Sequence, residues 1–171
     1  MADTAALAVS VLPSATRLAV RSGGAAVTKL GDAFGLPLPM DVCRAAANAA
    51  RAALWLGPDE WLLIASEGEM PALGAWIADA LGDTPASVVD VSARNVGVQV
   101  KGSKAAEAIN AFNPLDLAGA FPVGMCTRTV FAKVEIVLWR TEADTFRIEV
   151  WRSFAPYVLG CLDEAAKEYQ P

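Results

Sequence analysis

Two spacings of apolar residues alternate along the chain. Val130, Ala132, Val134, Ile136 and Leu138 occupy every second position of 129–139, with Phe131, Lys133 and Glu135 between them. A period of two places each set on one face of a strand. The pattern returns in 145–151, where Phe146, Ile148 and Val150 point inward and Arg147 and Glu149 outward; 140–144 supplies the turn between the two strands. Val96, Val98 and Val100 share a face of a strand at 95–101, and 17–21 and 87–91 predict two shorter strands. Around Gly57-Pro58-Asp59-Glu60, the apolar runs 53–56 and 61–65 predict a hairpin, because proline presets the turn backbone and Gly and Asp tolerate its dihedrals. The spacing changes at 69–81. Met70, Leu73, Trp76, Ile77 and Leu81 fall on one helical stripe, Pro71 suits the first turn, and Gly82-Asp83 ends it. Residues 104–112 predict a short helix closed by Asn113-Pro114. In the last helix Ser153 is the expected cap, Pro156 lies in the first turn, and Phe154, Val158, Cys161 or Leu162, and Ala165 form the buried stripe. Asp163, Glu164, Lys167 and Glu168 form its wet face. Residues 31–41, with two prolines and two glycines, and 114–124 read as loops. The run 45–51 fits a helical turn or a strand entry.

The two halves repeat. Laid 85 residues apart, Trp61 meets Phe146, Leu63 meets Ile148, Pro71 meets Pro156, Leu73 meets Val158 and Ile77 meets Leu162. The expected fold is α+β: two related β-β-β-α half-units about a pseudo-twofold axis, with mostly antiparallel sheets covered by helices. Residues 1–15 are expected to be a flexible leader, and 16–171 one domain with halves at about 16–85 and 86–171.

Composition narrows the chemistry. With 171 residues and 54% apolar positions, the chain can bury a core without disulfides or metal. No run of 18 apolar residues exists, and no Lys/Arg tract offsets the net charge of −5, so neither a membrane nor a nucleic acid is an expected partner. Three widely spaced cysteines fit a reducing, cytoplasmic setting. Zero histidines remove Ser-His-Asp and Cys-His catalysis and most zinc sites. Cys126, two residues before Arg128, is the candidate nucleophile, since a nearby cation favours a thiolate; a small buried residue at a strand start is the alternative. Asp59-Glu60, Asp90, Asp144 and Glu149 offer carboxylates without evident convergence. Trp139 and Trp151, opposite the Leu138 and Val150 stripes, with Met125, Phe131 and Arg152, are candidates for an interface with another polypeptide.

The blocks LGPDEWLL (56–63), VVDVSARNV (88–96), NPLDL (113–117), FPVGMCTRTVFAKVEIVLW (121–139) and FRIEVWRSFAPYV (146–158) resemble the gamma subunit of bacterial heterotetrameric sarcosine oxidase. The resemblance runs from about residue 17 to 168. It implies a fold similar to the folate-binding domain of the glycine cleavage T-protein. It also implies a non-catalytic assembly role beside alpha, beta and delta subunits, in a complex that demethylates sarcosine oxidatively to glycine, with hydrogen peroxide and formaldehyde or methylene-tetrahydrofolate as products. FAD, FMN, NAD and tetrahydrofolate are then held by other subunits and none by this chain. A stand-alone folate or one-carbon binder is the alternative. In the T-protein pattern R-T-G-Y-T-G-E-D-G-F-E, the pterin-contacting glutamate falls on Ala143 and the flanking glycine on Thr145. Asp144 and Phe146 persist and Glu142 is adjacent, making Glu142, Asp144 and Phe146 the folate-pocket candidates.

Overall fold

A computed structural model describes residues 6–169. In chain order the elements are β1 (Ala8–Val11), β2 (Ala15–Arg21), α1 (Ala25–Phe34), β3 (Ala45–Ala47), β4 (Ala52–Gly57), β5 (Glu60–Ser66), α2 (Met70–Leu81), β6 (Ser87–Asp90), β7 (Asn95–Lys101), α3 (Ala105–Asn110), β8 (Cys126–Phe131), β9 (Val134–Glu142), β10 (Thr145–Trp151) and α4 (Ala155–Lys167). They form two compact units, the first Ser14–Ala93 and the second 6–13 with 94–169.

In the first unit the sheet order is β3-β4-β5-β2-β6, antiparallel throughout. Leu18, Val20, Trp61, Leu63 and Ala65 pack on Ala26, Leu30 and Phe34 of α1 and on Leu73, Ile77 and Leu81 of α2. Trp61 is fully buried, worth about 2–3 kcal/mol, and its indole N–H donates to the Pro39 carbonyl at 2.8 Å. In the second unit the order is β1-β7-β10-β9-β8, again antiparallel. Val98, Val100, Phe146, Ile148 and Val150 pack there on Ala105 and Ile109 of α3 and on Ala155, Val158 and Leu162 of α4. Each unit thus has the expected mixed α+β character, one antiparallel sheet carrying two helices. None of the helices is long and apolar enough to cross a membrane.

Several expectations are corrected. The leader contains β1: Ala8–Val11 pairs in register with 98–101, and Leu7 and Val9 pack against the second unit's core. The rest of the leader, 1–5, lies outside the described residues. The strand at 87–90, assigned by sequence to the second half, pairs with β2 of the first unit. Residues 31–34 are helical, not loop. Gly31 lies inside α1 because a Cβ there would meet the backbone of Pro37 and Leu38 at 3.3 Å, and Gly35, at φ 72, ends the helix by donating its N–H to Asp32 O. The ambiguous run at 45–51 opens as strand β3.

The single strand expected at 129–139 is two strands, β8 and β9, joined by a turn at Ala132-Lys133 with Ala132 at φ 52. Phe131 and Val134 pair across that turn, so Phe131 faces the core and Val130 is exposed. Ser153 makes no capping bond; Phe154 is the N-cap residue and is exposed, as is Trp76 of the α2 stripe. Glu149, expected to point outward into water, is 2% exposed, and Arg147 donates to it through Nε at 2.8 Å. The ion pair gives the buried carboxylate oxygens a partner in place of water.

Candidate functional site

The β9–β10 turn and the β7–α3 loop of the second unit frame a cleft of about 340 Å³, lined by Lys101, Gly102, Ser103, Glu142, Ala143, Asp144 and Thr145. Its frame is backbone held by side chains. Gly102 N–H donates to Asp144 O at 2.9 Å, the Thr141 hydroxyl donates to Thr145 O at 3.2 Å, and the Thr145 hydroxyl donates to Glu142 Oε2 at 3.2 Å. Arg140 fixes the turn. Its Nε and Nη2 donate to Ala143 O at 3.1 and 2.5 Å, while Nη1 reaches back to Leu117 O at 3.0 Å and Phe121 O at 2.7 Å. The guanidinium lies 5.2 Å from the centroid of the Phe146 ring.

Two of the three folate-pocket candidates, Glu142 and Asp144, therefore come together at this cleft. Phe146 does not: it is fully buried in the core beneath Arg140. A pterin needs a slot with apolar or aromatic walls as well as a carboxylate for its donor edge. This lining offers two carboxylates, an ammonium and two hydroxyls but no ring, so it does not fit that group.

The candidate nucleophile Cys126 is fully buried, while Arg128 is exposed and ion-pairs with Glu135 at 3.6 Å. A thiol without solvent access presents no nucleophile to a substrate. Asp59 and Glu60 both pair with Arg21, at 3.6 and 2.8 Å. Asp90 accepts from the Ser92 hydroxyl and N–H, which hold its carboxyl below the usual aspartate range. Among the described residues no group of three or more His, Cys, Asp or Glu is placed to hold a metal.

The interface candidates separate. Phe131 is buried against Phe112, with ring centroids 4.9 Å apart, and is withdrawn from any surface. Met125 is half-buried against the same core. Trp139 is half-buried, and its indole N–H is enclosed without an acceptor in the structure. Trp151 and Arg152 are exposed where β10 ends. The Trp151 ring stands 6.3 Å from that of Phe154 and 5.8 Å from the Arg94 guanidinium. Arg152 N–H donates to Arg94 O at 2.7 Å, tying the two segments together. One helical turn on, Tyr157 is also exposed. Partial desolvation of the ring and a hydrogen bond with Cys161 raise its phenol above the ordinary tyrosine value.

Trp151, Phe154 and Tyr157 are 46%, 44% and 43% exposed, so three large rings crowd one corner. Sequence reasoning missed Phe154, assigned to the buried stripe, and Tyr157. The repeat carried the signal: at the 85-residue offset these positions match Ser66, Glu69 and Ala72, whereas the buried positions of the two halves match in character.

The sequence model of the sarcosine oxidase, gamma subunit family matches residues 19–168. Sarcosine oxidase subunit gamma of Corynebacterium sp. (strain P-1) is 35% identical over 159 residues, covering 91% of this chain and 77% of that protein. A chain in the solved structure of heterotetrameric sarcosine oxidase from Corynebacterium sp. U-96 in complex with pyrrole 2-carboxylate matches with a TM-score of 0.91 at 33% identity, over 99% of this chain and 88% of that one. Glycine cleavage system aminomethyltransferase T from Bartonella henselae matches with a TM-score of 0.72 over 95% of this chain and 47% of that one. At 15% identity that likeness concerns the fold alone, and it meets the expectation of a T-protein-like architecture. The chain belongs to the sarcosine oxidase gamma subunit family.

Proposed function

We propose that this chain is a non-catalytic assembly subunit of a heterotetrameric sarcosine oxidase in the cytoplasm, working beside alpha, beta and delta subunits. In that reading sarcosine is demethylated on other subunits, which hold FAD, FMN, NAD and tetrahydrofolate. The near-full-length structural likeness to a chain of such a heterotetramer carries the reading. The chemistry of the described residues supports it: the thiol that a nucleophilic mechanism needs is buried, and the carboxylates of the cleft have no aromatic partner for a flat substrate. What the chain contributes is shape, in the form of two rigid sheet-and-helix units.

The test is co-expression of a tagged chain with the other three subunits of the same organism's oxidase. Tag purification is expected to bring down all four polypeptides in constant ratio, with sarcosine-dependent peroxide production in that fraction and none from the chain alone. Turnover of sarcosine by the isolated chain, or an active oxidase that leaves the tagged chain behind, overturns the reading.

A further inference from the structure

The two units solve one structural problem in two ways, at the corner where the last strand meets the last helix. In the first unit the corner closes on itself. Glu69 accepts from the Ser66 N–H at 3.0 Å and from Arg51 Nη2 at 2.7 Å, so its polar groups are spent internally. Ala72 adds no large apolar surface. In the second unit the same three positions are Trp151, Phe154 and Tyr157, each more than two-fifths exposed. The fold does not require rings at these three positions, because its sibling corner carries none there; the exposed ring of that corner, Trp76, comes from the next turn of α2 and stands 5.9 Å from the Arg51 guanidinium. A solvent-exposed cluster of large apolar side chains that the scaffold does not need marks a binding surface.

The surroundings define the occupant. From Phe154 through Leu162 there is no charged side chain, and the first acidic groups of α4 are Asp163 and Glu164. The cations bordering the rings are Arg94, stacked on Trp151, and the exposed Arg152. A second copy of this chain, docked corner to corner about a twofold axis, would bring arginine against arginine, which opposes self-association. A different polypeptide presenting apolar side chains and a carboxylate meets both features.

Resting on the proposed assembly role, we infer that the Trp151–Phe154–Tyr157 corner with Arg94 docks an apolar, carboxylate-bearing segment of another subunit of the oxidase.

The sibling corner supplies the test. Trp151→Ser, Phe154→Glu and Tyr157→Ala together install the residues that the first unit already carries at these places. The affinity of this variant for the other three subunits, purified together, is compared with that of the unaltered chain. The expected result is binding at least about tenfold weaker, as for loss of central aromatic anchors, with an unfolding midpoint within about 2 °C of the parent. Arg94→Glu is expected to weaken binding as well and to flatten its salt dependence. As a second measurement, a photo-crosslinking amino acid at position 157 is expected to join to one of the other subunits in the assembled oxidase. Affinity within about twofold of the parent, or a crosslink only to a second copy of this chain, overturns the docking inference and leaves the assembly role standing. Failure of the unaltered chain to bind those subunits overturns both.

Discussion

Arg140 should be the most costly single side chain of the second unit to lose outside its apolar core. Its guanidinium serves three carbonyls, of Leu117, Phe121 and Ala143, and lies over the Phe146 ring. In Arg140→Met the stem still packs but every donor is gone. Ala143 is exposed, so water replaces that bond. Leu117 and Phe121 are 0% and 2% exposed, and their carbonyls would be left without a donor, at about 1–1.5 kcal/mol each. Loss of the cation over Phe146 adds about 0.5–1 kcal/mol. The total is about 3 kcal/mol, which for a chain of this size lowers the melting temperature by about 6–12 °C. Lysine keeps the charge but offers a point instead of a fork; Arg140→Lys should recover less than half. Scanning calorimetry measures the shift, and amide exchange should locate it, with the Gly124 N–H, which donates to Arg140 O, exchanging faster. A methionine variant melting within about 2 °C of the parent, or full rescue by lysine, refutes the fork as the anchor of this loop.

Three further predictions rest on single features. Glu69 is held below its ordinary value of 4.5, chiefly by the hydrogen bond from Arg51. A depressed carboxyl contributes stability above its unfolded value and loses it as pH falls through the folded one; Glu69→Gln should therefore flatten the loss of urea stability below about pH 4.5, and an unchanged acid limb would refute this. Ala132 holds φ 52 in a two-residue turn where glycine is favoured, so Ala132→Gly should raise stability by about 0.5–1 kcal/mol, read as a higher urea midpoint. Deleting residues 2–13 removes β1 and bares the β7 edge; it should cost about 3 kcal/mol through the lost packing of Leu7 and Val9 and the strand pairing, and a shortened chain melting like the parent would show that β1 adds nothing.

Where the sequence predicted well, one residue's neighbours decided its environment. Phe146, Ile148 and Val150 alternate in sequence and are all fully buried. The turn residues Gly57-Pro58 act over a few positions in the same way, as do the stripes of α2 and α4 apart from the exposed Trp76 and Phe154. The misses have non-local or parity causes. A two-residue turn at Ala132-Lys133 preserves even spacing, so Val130 and Val134 look like one face although they lie in different strands with opposite exposure. The helix α1 was obscured because Gly31 and Gly35 resemble loop glycines, while one packs against the chain beyond and the other caps. Strand β1 is short, and its partner lies some ninety residues on, so nothing within 8–11 announces it. In the candidate cleft, Glu142 and Asp144 were legible from the family pattern. The burial of Phe146 follows from strand parity and removes it from the site.

The repeat explains why Arg140 was missed. At the 85-residue offset its counterpart is Trp55, and the pairings correspond: Arg140 lies across from Phe146 as Trp55 lies across from Trp61. Each unit has a long loop between its first helix and the strand that follows it, and each loop contains backbone carbonyls drawn close to the core. Such carbonyls need donors. In the first unit the donor is the indole N–H of Trp61, bonded to Pro39 O; in the second, where Phe146 has no N–H to give, the guanidinium across the ladder bonds to Leu117 O and Phe121 O. The need is shared but the residue that meets it changes strand and type, because a backbone acceptor constrains only where a donor must arrive. Identity at matched positions therefore marks side-chain packing, and a matched requirement with different chemistry marks a backbone anchor. The ring corner of the second unit fits neither pattern, since the matched positions Ser66, Glu69 and Ala72 carry no rings, and this accords with the docking role inferred for it.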